Sequence, residues 1–387
     1  MPLHAFDTTL SREDDSPDPV TELKEHRVDF VTNEEIVLAA RKHLAQGEWD
    51  YLVGGSESET TFRRNRLAFD RWAFRPRILV DVSQIDTSTT FLGEKMRIPV
   101  MLAPVGSLQL FTPEGGAAAA KAAVEFGTTH CVSSVTQPEW EDNAAAGTQF
   151  FQLYARGDDD WTRDAVQRIK AAGYKGLAIT VDTAIYSRRE RPMVHGWTPP
   201  TRLNVQNRNF LAELDWRKLD LIKETWGDAP LMVKGVATTE DALLCIEHGV
   251  EVVWVSNHGG RQLDHGPGGL DVLPEIVEAV AGRAEIVVDG GVQRGTDIVK
   301  AIALGAKCVA IGRLQAWGLA AAGQAGCVRM LEILENEIIS AMGLMGVSSL
   351  DQLTDRYLCR AEPVTPPHEM SAWVNMPTPN GPGGRIL

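Results

Sequence analysis

The stretch Ile286-Val287-Val288-Asp289-Gly290-Gly291, followed by Gly295–Leu304 and then Lys307-Cys308-Val309-Ala310-Ile311-Gly312-Arg313, decides the fold. A short unbroken apolar run ends in polar residues and glycines, a segment with helical spacing follows, and a second apolar run closes the unit. Continuous rather than alternating hydrophobicity marks a parallel strand buried on both faces, and a helix between two such strands makes a βαβ unit. Working outward, the unit recurs. Apolar runs predict strands at Ile98–Ala103, Cys131–Ser134, Gln149–Tyr154, Leu177–Val181, Leu231–Val233, Val252–Val255, Ile286–Val288 and Cys308–Ile311. Helical patterns separate many of them, at Gly115–Phe126, Trp161–Ala172, Glu240–His248, Leu270–Val280 and Gly295–Leu304. Eight such strands predict an α/β protein, a closed (β/α)8 TIM barrel, because doubly wound sheets usually stop at about five to seven strands. No G-x-G-x-x-G follows the first run, which also argues against a doubly wound nucleotide fold.

The length of 387 residues leaves room for one large barrel, at about Arg97 to Met345. Residues 1–30 read as a polar arm, 31–360 as the barrel domain with its N-terminal helices, and 361–387 as an extended Pro- and Gly-rich tail. Within the cap, Thr32–Ala45 has helical spacing, with Asn33 as the expected N-cap. A net charge of −14 argues against nucleic acid or an anionic membrane as partner, since both demand clustered Lys and Arg. Five scattered cysteines give neither a disulfide framework nor zinc spacing, and no metal site is expected. Met1 to Asp18 lacks the apolar core of a secretory signal, and no run approaches ~20 apolar residues. A cytoplasmic location without a membrane anchor is the expectation.

In such barrels chemistry sits where the strands end, so those ends are the place to look for a site. They read Pro104-Val105-Gly106, Ser133-Ser134, Gln152-Leu153-Tyr154, Thr180-Val181-Asp182, Lys234-Gly235, Ser256-Asn257-His258, Asp289-Gly290-Gly291 and Gly312-Arg313. Glycines with a cation at the last two ends favour a phosphate site over plain tight turns. Lys234 needs a negative partner, either a reduced cofactor ring or a structural carboxylate. The run Ser256-Asn257-His258-Gly259-Gly260-Arg261-Gln262 is the densest signal: an imidazole that can take a proton near neutral pH, and a guanidinium fork that grips a carboxylate. Asp182 reads either as the carboxylate that orients this imidazole or as a helix N-cap. Arg188, Arg189 and Arg191 make either a second clamp or a solvated turn. Tyr51 and Tyr154 suit packing with a wet hydroxyl as well as they suit a site.

The heptapeptide Ser256–Gln262 resembles the active-site signature of the FMN-dependent α-hydroxy acid oxidase/dehydrogenase family, which includes glycolate oxidase, lactate oxidase, lactate monooxygenase and mandelate dehydrogenase. Asp50-Tyr51, Gly54-Gly55, Pro76-Arg77-Ile78-Leu79, Phe151-Gln152-Leu153-Tyr154, Val233-Lys234-Gly235 and Asp289-Gly290-Gly291 match it in order, over about Phe30 to Leu353. The resemblance implies FMN as cofactor and oxidation of an L-2-hydroxy acid to a 2-oxo acid, with a hydride equivalent passing to flavin N5. His258 would be the base, oriented by Asp182, and Arg261 and Arg189 would clamp the substrate carboxylate. Tyr51 and Tyr154 would donate hydrogen bonds to the substrate. Lys234 would stabilise the reduced ring. Ser133, Gln152 and Thr180 would bond the isoalloxazine, backed by Pro104, Val105 and Gly106. Asp289 would face the ribityl chain, and Gly291, Gly312 and Arg313 the phosphate, with Ser256 and Gly290 in the same cofactor set. Oxygen or another acceptor would receive the electrons, and a homotetramer is the expected assembly.

Departures from the family pattern sharpen the expectation. Gln293 stands where the first of two Arg residues is usual, so Arg294 becomes a candidate substitute, and Leu314 replaces the usual Pro. Gly106 takes a position often held by Ala, and Val135 one that is aromatic in glycolate oxidase. The segment between Arg189 and Lys234 looks short. Together these imply a roomy pocket and a bulky or aromatic, mandelate-like substrate. Oxidative decarboxylation of the lactate monooxygenase type, a non-redox barrel enzyme acting on a phosphorylated substrate, and a flavin-binding protein without catalysis are the competing readings.

Overall fold

In the computed structural model, which describes residues 28–200, 209–364, 366–368 and 370–373, every predicted apolar run contains a strand. We number the barrel strands β1 (Val100–Leu102), β2 (Thr129–Ser133), β3 (Phe150–Leu153), β4 (Gly176–Thr180), β5 (Leu231–Val236), β6 (Val252–Val255), β7 (Glu285–Asp289) and β8 (Cys308–Ile311). Each pairs in parallel with its neighbour in sequence, and β8 closes on β1 through Val309↔Val100, Ala310↔Met101 and Ile311↔Leu102. The predicted closed barrel is present.

Strand parity sorts the residues. Met101, Cys131, Phe150, Ala178, Met232, Trp254, Val287 and Cys308 share one buried interior cluster. Side chains alternate faces along a strand, so the residues two positions on also point inward, one layer nearer the C-terminal mouth. They are Ala103, Ser133, Gln152, Thr180, Lys234, Ser256, Asp289 and Ala310, six of them polar and all six buried. The lower barrel is therefore apolar filling, and the polar layer lies where the loops converge.

A hairpin that sequence reading did not foresee, Thr89–Phe91 paired with Glu94–Met96, plugs the opposite end. Leu92 and Gly93 both have positive φ (47° and 82°), the backbone of a two-residue hairpin turn. The hairpin inserts Phe91 and Met96 into the interior cluster, with Phe91 edge-on to Phe150 at 5.7 Å.

Three helices precede the barrel: α1 (Asn33–His43), α2 (Gln46–Val53) and α3 (Thr60–Asp70). Thr32, not Asn33, caps α1, accepting from Glu35 N, while Asn33 is buried in the first turn. Helix α1 packs on the long helix Arg313–Met345, which kinks at Ala322 and Gly323. Trp72–Phe74 pairs with Leu358–Arg360 and ties the two ends of the domain together.

The expected arm lies almost wholly outside the described residues, as does much of the tail. The described tail residues do more than lie over the surface. Met370 and Trp373 are buried, and Trp373 packs edge-on to Trp317 at 5.8 Å. Among the described residues no helix is long and apolar enough to cross a membrane.

Candidate active site

Above the polar layer opens a cavity of about 470 Å³. Tyr51, Pro104, Val105, Gly106, Tyr154, Arg189, Lys234, His258, Arg261, Asp289, Gly290, Gly291, Gly312 and Arg313 all border it. Asp182 stands directly behind His258, and Ser133, Gln152, Thr180 and Ser256 lie buried in the layer beneath. Residues from all eight strand ends thus meet around one space, as the barrel topology demands.

His258 Nδ1 lies 3.0 and 3.3 Å from the two Asp182 oxygens, and His258 N donates to Ser256 Oγ at 3.0 Å. This settles the choice left open for Asp182: it pairs with the imidazole. Burial pushes the His258 pKa down, Asp182 only partly offsets this, and Lys234 and Arg189 add to the lowering. Burial opposes ionisation of Asp182 as well, but His258 and then Lys234 outweigh it and hold its carboxyl below the usual range. A neutral imidazole against a carboxylate carries its hydrogen on Nδ1 and leaves Nε2 as the open acceptor.

Lys234 Nζ donates to Ser256 Oγ at 2.8 Å and lies 3.3 Å from Asp289 Oδ2. Ser256 Oγ and Trp254 Nε1 donate to the same carboxylate at 2.7 and 3.0 Å. Both partners considered for Lys234 are therefore compatible with its place: a structural carboxylate lies beside it, and the ammonium also borders the cavity. Beneath them Ser133 Oγ donates to Gln152 Oε1 at 2.7 Å, while Gln152 Nε2 is buried with no hydrogen-bond partner. A buried amide donor left open at the base of a cavity is a place for a ligand acceptor.

Four guanidiniums border the space without a carboxylate partner among the described residues, three of them at positions that the sequence pointed to. Arg261 Nη1 donates to the carbonyls of Tyr51 (2.6 Å), Leu52 (3.3 Å) and Gly54 (3.0 Å). Arg313 donates to Leu52, Gly54 and Gly259 carbonyls at 3.0–3.2 Å. All of these except Gly259 are the orphan carbonyls at the end of α2, where cations are favoured. Arg189 reaches Arg261 O and Gln262 Oε1 at 3.3 and 3.4 Å. Burial, then repulsion from Arg189, lowers the Arg261 pKa to about 10. Burial, then Arg261, lowers that of Arg313 to about 9. Such a cluster favours an anion.

Not every expected residue faces the cavity. Asn257 exchanges two amide hydrogen bonds with Asn65 of α3 at 2.8 and 2.9 Å and accepts from Gly260 N, so it fastens the loop. Arg294 pairs with Glu337 at 3.0 Å and does not border the cavity, whereas Gln293 does. Arg294 therefore does not take the missing arginine's place. The short segment before Lys234 falls partly on residues 201–208, outside those described.

Sequence reading missed Phe62, Arg156, Tyr186 and Trp317 in the lining. None ends a strand in the pattern used to find the others. It also missed Arg66 of α3, which holds Asp297 through two bonds of 2.6 and 2.7 Å and Gly291 O at 2.9 Å.

Comparison with known proteins agrees with this geometry. Residues 40–360 match the family model for FMN-dependent dehydrogenases. The chain is 38% identical to an L-lactate oxidase of Nostoc sp. over 82% of this chain and 95% of the relative. It is 38% identical to glycolate oxidase of Spinacia oleracea, over 85% and 95% respectively. A crystal structure of mandelate oxidase superposes with a TM-score of 0.80 at 36% identity, covering 87% of this chain and all of the other. These matches remove the non-redox reading and leave one conclusion: the chain belongs to the FMN-dependent dehydrogenase family and is an FMN-dependent 2-hydroxy acid oxidase/dehydrogenase.

Proposed function

We propose that the cavity holds FMN across the barrel mouth and oxidises an L-2-hydroxy acid with a bulky or aromatic, mandelate-like side chain, with oxygen as electron acceptor. One observation carries the reading: an imidazole backed by a carboxylate, a set of unpaired guanidiniums and an ammonium border the same space. The open Gln152 Nε2, with Ser133 and Thr180 beside it in the polar layer, suits the polar edge of a flavin ring. The Gly290-Gly291 turn, Gly312 and Arg313 suit its phosphate, and Ser256 and Asp289 fix Lys234 at the ring. When bound, FMN supplies the acceptor for the two electrons that leave the substrate's C2.

The chain's own residues do the rest. Arg261 and Arg189 hold the substrate carboxylate, with the free edges of their guanidiniums forming the fork. Tyr51 and Tyr154 fix the carboxylate and the hydroxyl. His258 Nε2 takes the hydroxyl proton, and Asp182 stabilises the imidazolium that results. The Lys234 ammonium, held by Ser256 and Asp289, would offset negative charge on a bound flavin.

The apolar part of the lining supports a large substrate. A Cβ on Gly106 would meet Val135 Cγ2 at 2.9 Å, so glycine there keeps the wall open. Val135, Phe111, Ile185, Leu211 and Ala212 add apolar surface to the lining. A homotetramer, carried by the family resemblance, completes the reading. In anaerobic mixing, (S)-mandelate should bleach the flavin faster than glycolate or lactate. A clear advantage for either small acid rejects the bulky substrate. After admission of air the expected product is benzoylformate, and benzoate with carbon dioxide would identify the monooxygenase course instead.

The pH dependence follows from the site. A base whose pKa is lowered stays neutral through the neutral range, so the reduction rate should be level there. It should fall only as the pH drops below the ordinary imidazole value of ~6.5. Asp182→Asn removes the anion that raises the imidazole pKa. That variant should be slower, with its acid limb displaced to still lower pH. An acid limb that moves upward contradicts the pairing.

A further inference from the structure

Arg156 follows the end of β3 and borders the same cavity as Tyr154, Arg189, Ile185 and Leu211. Its guanidinium lies 5.2 Å from the centre of the Tyr154 ring. Its Nε is buried without a hydrogen-bond partner, and it has no ion pair among the described residues. The acidic turn that follows it is committed elsewhere. Asp158 caps the next helix by accepting from Trp161 N, Asp159 pairs with Arg217 and Lys218, and Asp160 pairs with Arg163. Among ionisable groups Arg156 feels only Tyr154, whereas Tyr154 also feels Asp182, Arg189 and Tyr51. Tyr154 is thus the site residue that Arg156 packs against.

A partly desolvated guanidinium without a carboxylate is costly, and the cost is recovered when a planar anion docks on it. The clamp for the C1 carboxylate is already complete in Arg189 and Arg261, so an anion at Arg156 must belong to another part of the substrate. We infer that Arg156 is a second anion site of the cavity and selects 2-hydroxy acids whose side chain ends in a carboxylate. The inference rests on the reading of the cavity as a 2-hydroxy acid site and narrows it to dicarboxylic substrates.

The test compares (S)-4-carboxymandelate with (S)-mandelate on the holoenzyme, by anaerobic flavin reduction and by kcat/KM. The carboxylated acid should be favoured by about tenfold or more, the range of one charge-assisted hydrogen-bonded pair. Arg156→Gln should bring the ratio of the two to about one, and Arg156→Lys should keep part of the preference. The flavin absorbance of each variant reports that the fold is kept. Equal use of both acids by the unaltered enzyme, or a ratio that Arg156→Gln leaves in place, overturns the second anion site alone. Failure of both acids to bleach the flavin overturns this inference and the reading beneath it together.

Discussion

His258→Ala is expected to purify as a yellow protein whose flavin its substrate no longer bleaches. The imidazole has no role in holding the phosphate end of the cofactor: the ring pairs with Asp182, and the bond to the Ser256 hydroxyl comes from the His258 backbone N–H, which the substitution keeps. FMN content should therefore stay at the level of the unaltered enzyme. The proton of the 2-hydroxyl, by contrast, has no other free base beside it: Asp182 lies behind the ring, and the Asp289 carboxylate at the cavity is taken up by Lys234, Ser256 and Trp254. Loss of a positioned general base lowers a rate by about 10²–10⁴-fold. The measurement is the rate of anaerobic flavin bleaching at saturating substrate. A rate within a few-fold of the unaltered enzyme removes His258 from the role of base. Because position 258 has φ of 59°, His258→Asn, a residue that tolerates this backbone, serves as the second variant.

The barrel was legible because its strands are buried on both faces, which makes them read as unbroken apolar runs, and because their ends carry the polar residues. The polar layer of Ser133, Gln152, Thr180, Lys234, Ser256 and Asp289 follows from parity alone once one inward residue per strand is known. What escaped has a common cause. The Phe91–Met96 hairpin is too short to show periodicity, and only its position under the barrel gives those side chains a place to be buried. Asn257 sits in the most telling motif yet bonds to Asn65 of α3, a partner almost two hundred residues away in sequence. Arg261 and Arg313 looked like ligand residues only. They also grip the carbonyls at the end of α2, and this is how the N-terminal cap is locked to the mouth. Such long-range partners leave no local signal, and charge at a strand end does not reveal whether it serves a ligand, a neighbouring helix or both.

Arg66 shows what such a partner is worth. It is buried on α3 and joins Asp297, Asp70 and the Gly291 carbonyl. Burial works against its charge, but Asp297 and then Asp70 hold it protonated. Asp297, itself buried, also accepts from the amides of Gln293 and Arg294, so the pair fixes the loop from Gly291 to Arg294 that borders the proposed phosphate site. Gly291 cannot be replaced as a way of testing this loop, since a Cβ there would meet the Asn65 backbone at 2.5 Å. Arg66→Met keeps the volume and removes the charge. It leaves Asp297 buried and uncompensated, which should cost about 3–5 kcal/mol in urea unfolding. The loop should loosen with it, so FMN should be lost on gel filtration under conditions where the unaltered protein keeps it. Arg66→Met combined with Asp297→Asn removes both charges and should recover part of the stability. The FMN deficit should persist in the double variant, because the bonds to Gly291 O and to the loop amides stay broken or weakened. If Arg66→Met costs less than about 1 kcal/mol, the value of an exposed ion pair, the loop is held by its own backbone and the link from α3 to the cofactor site is not what positions it.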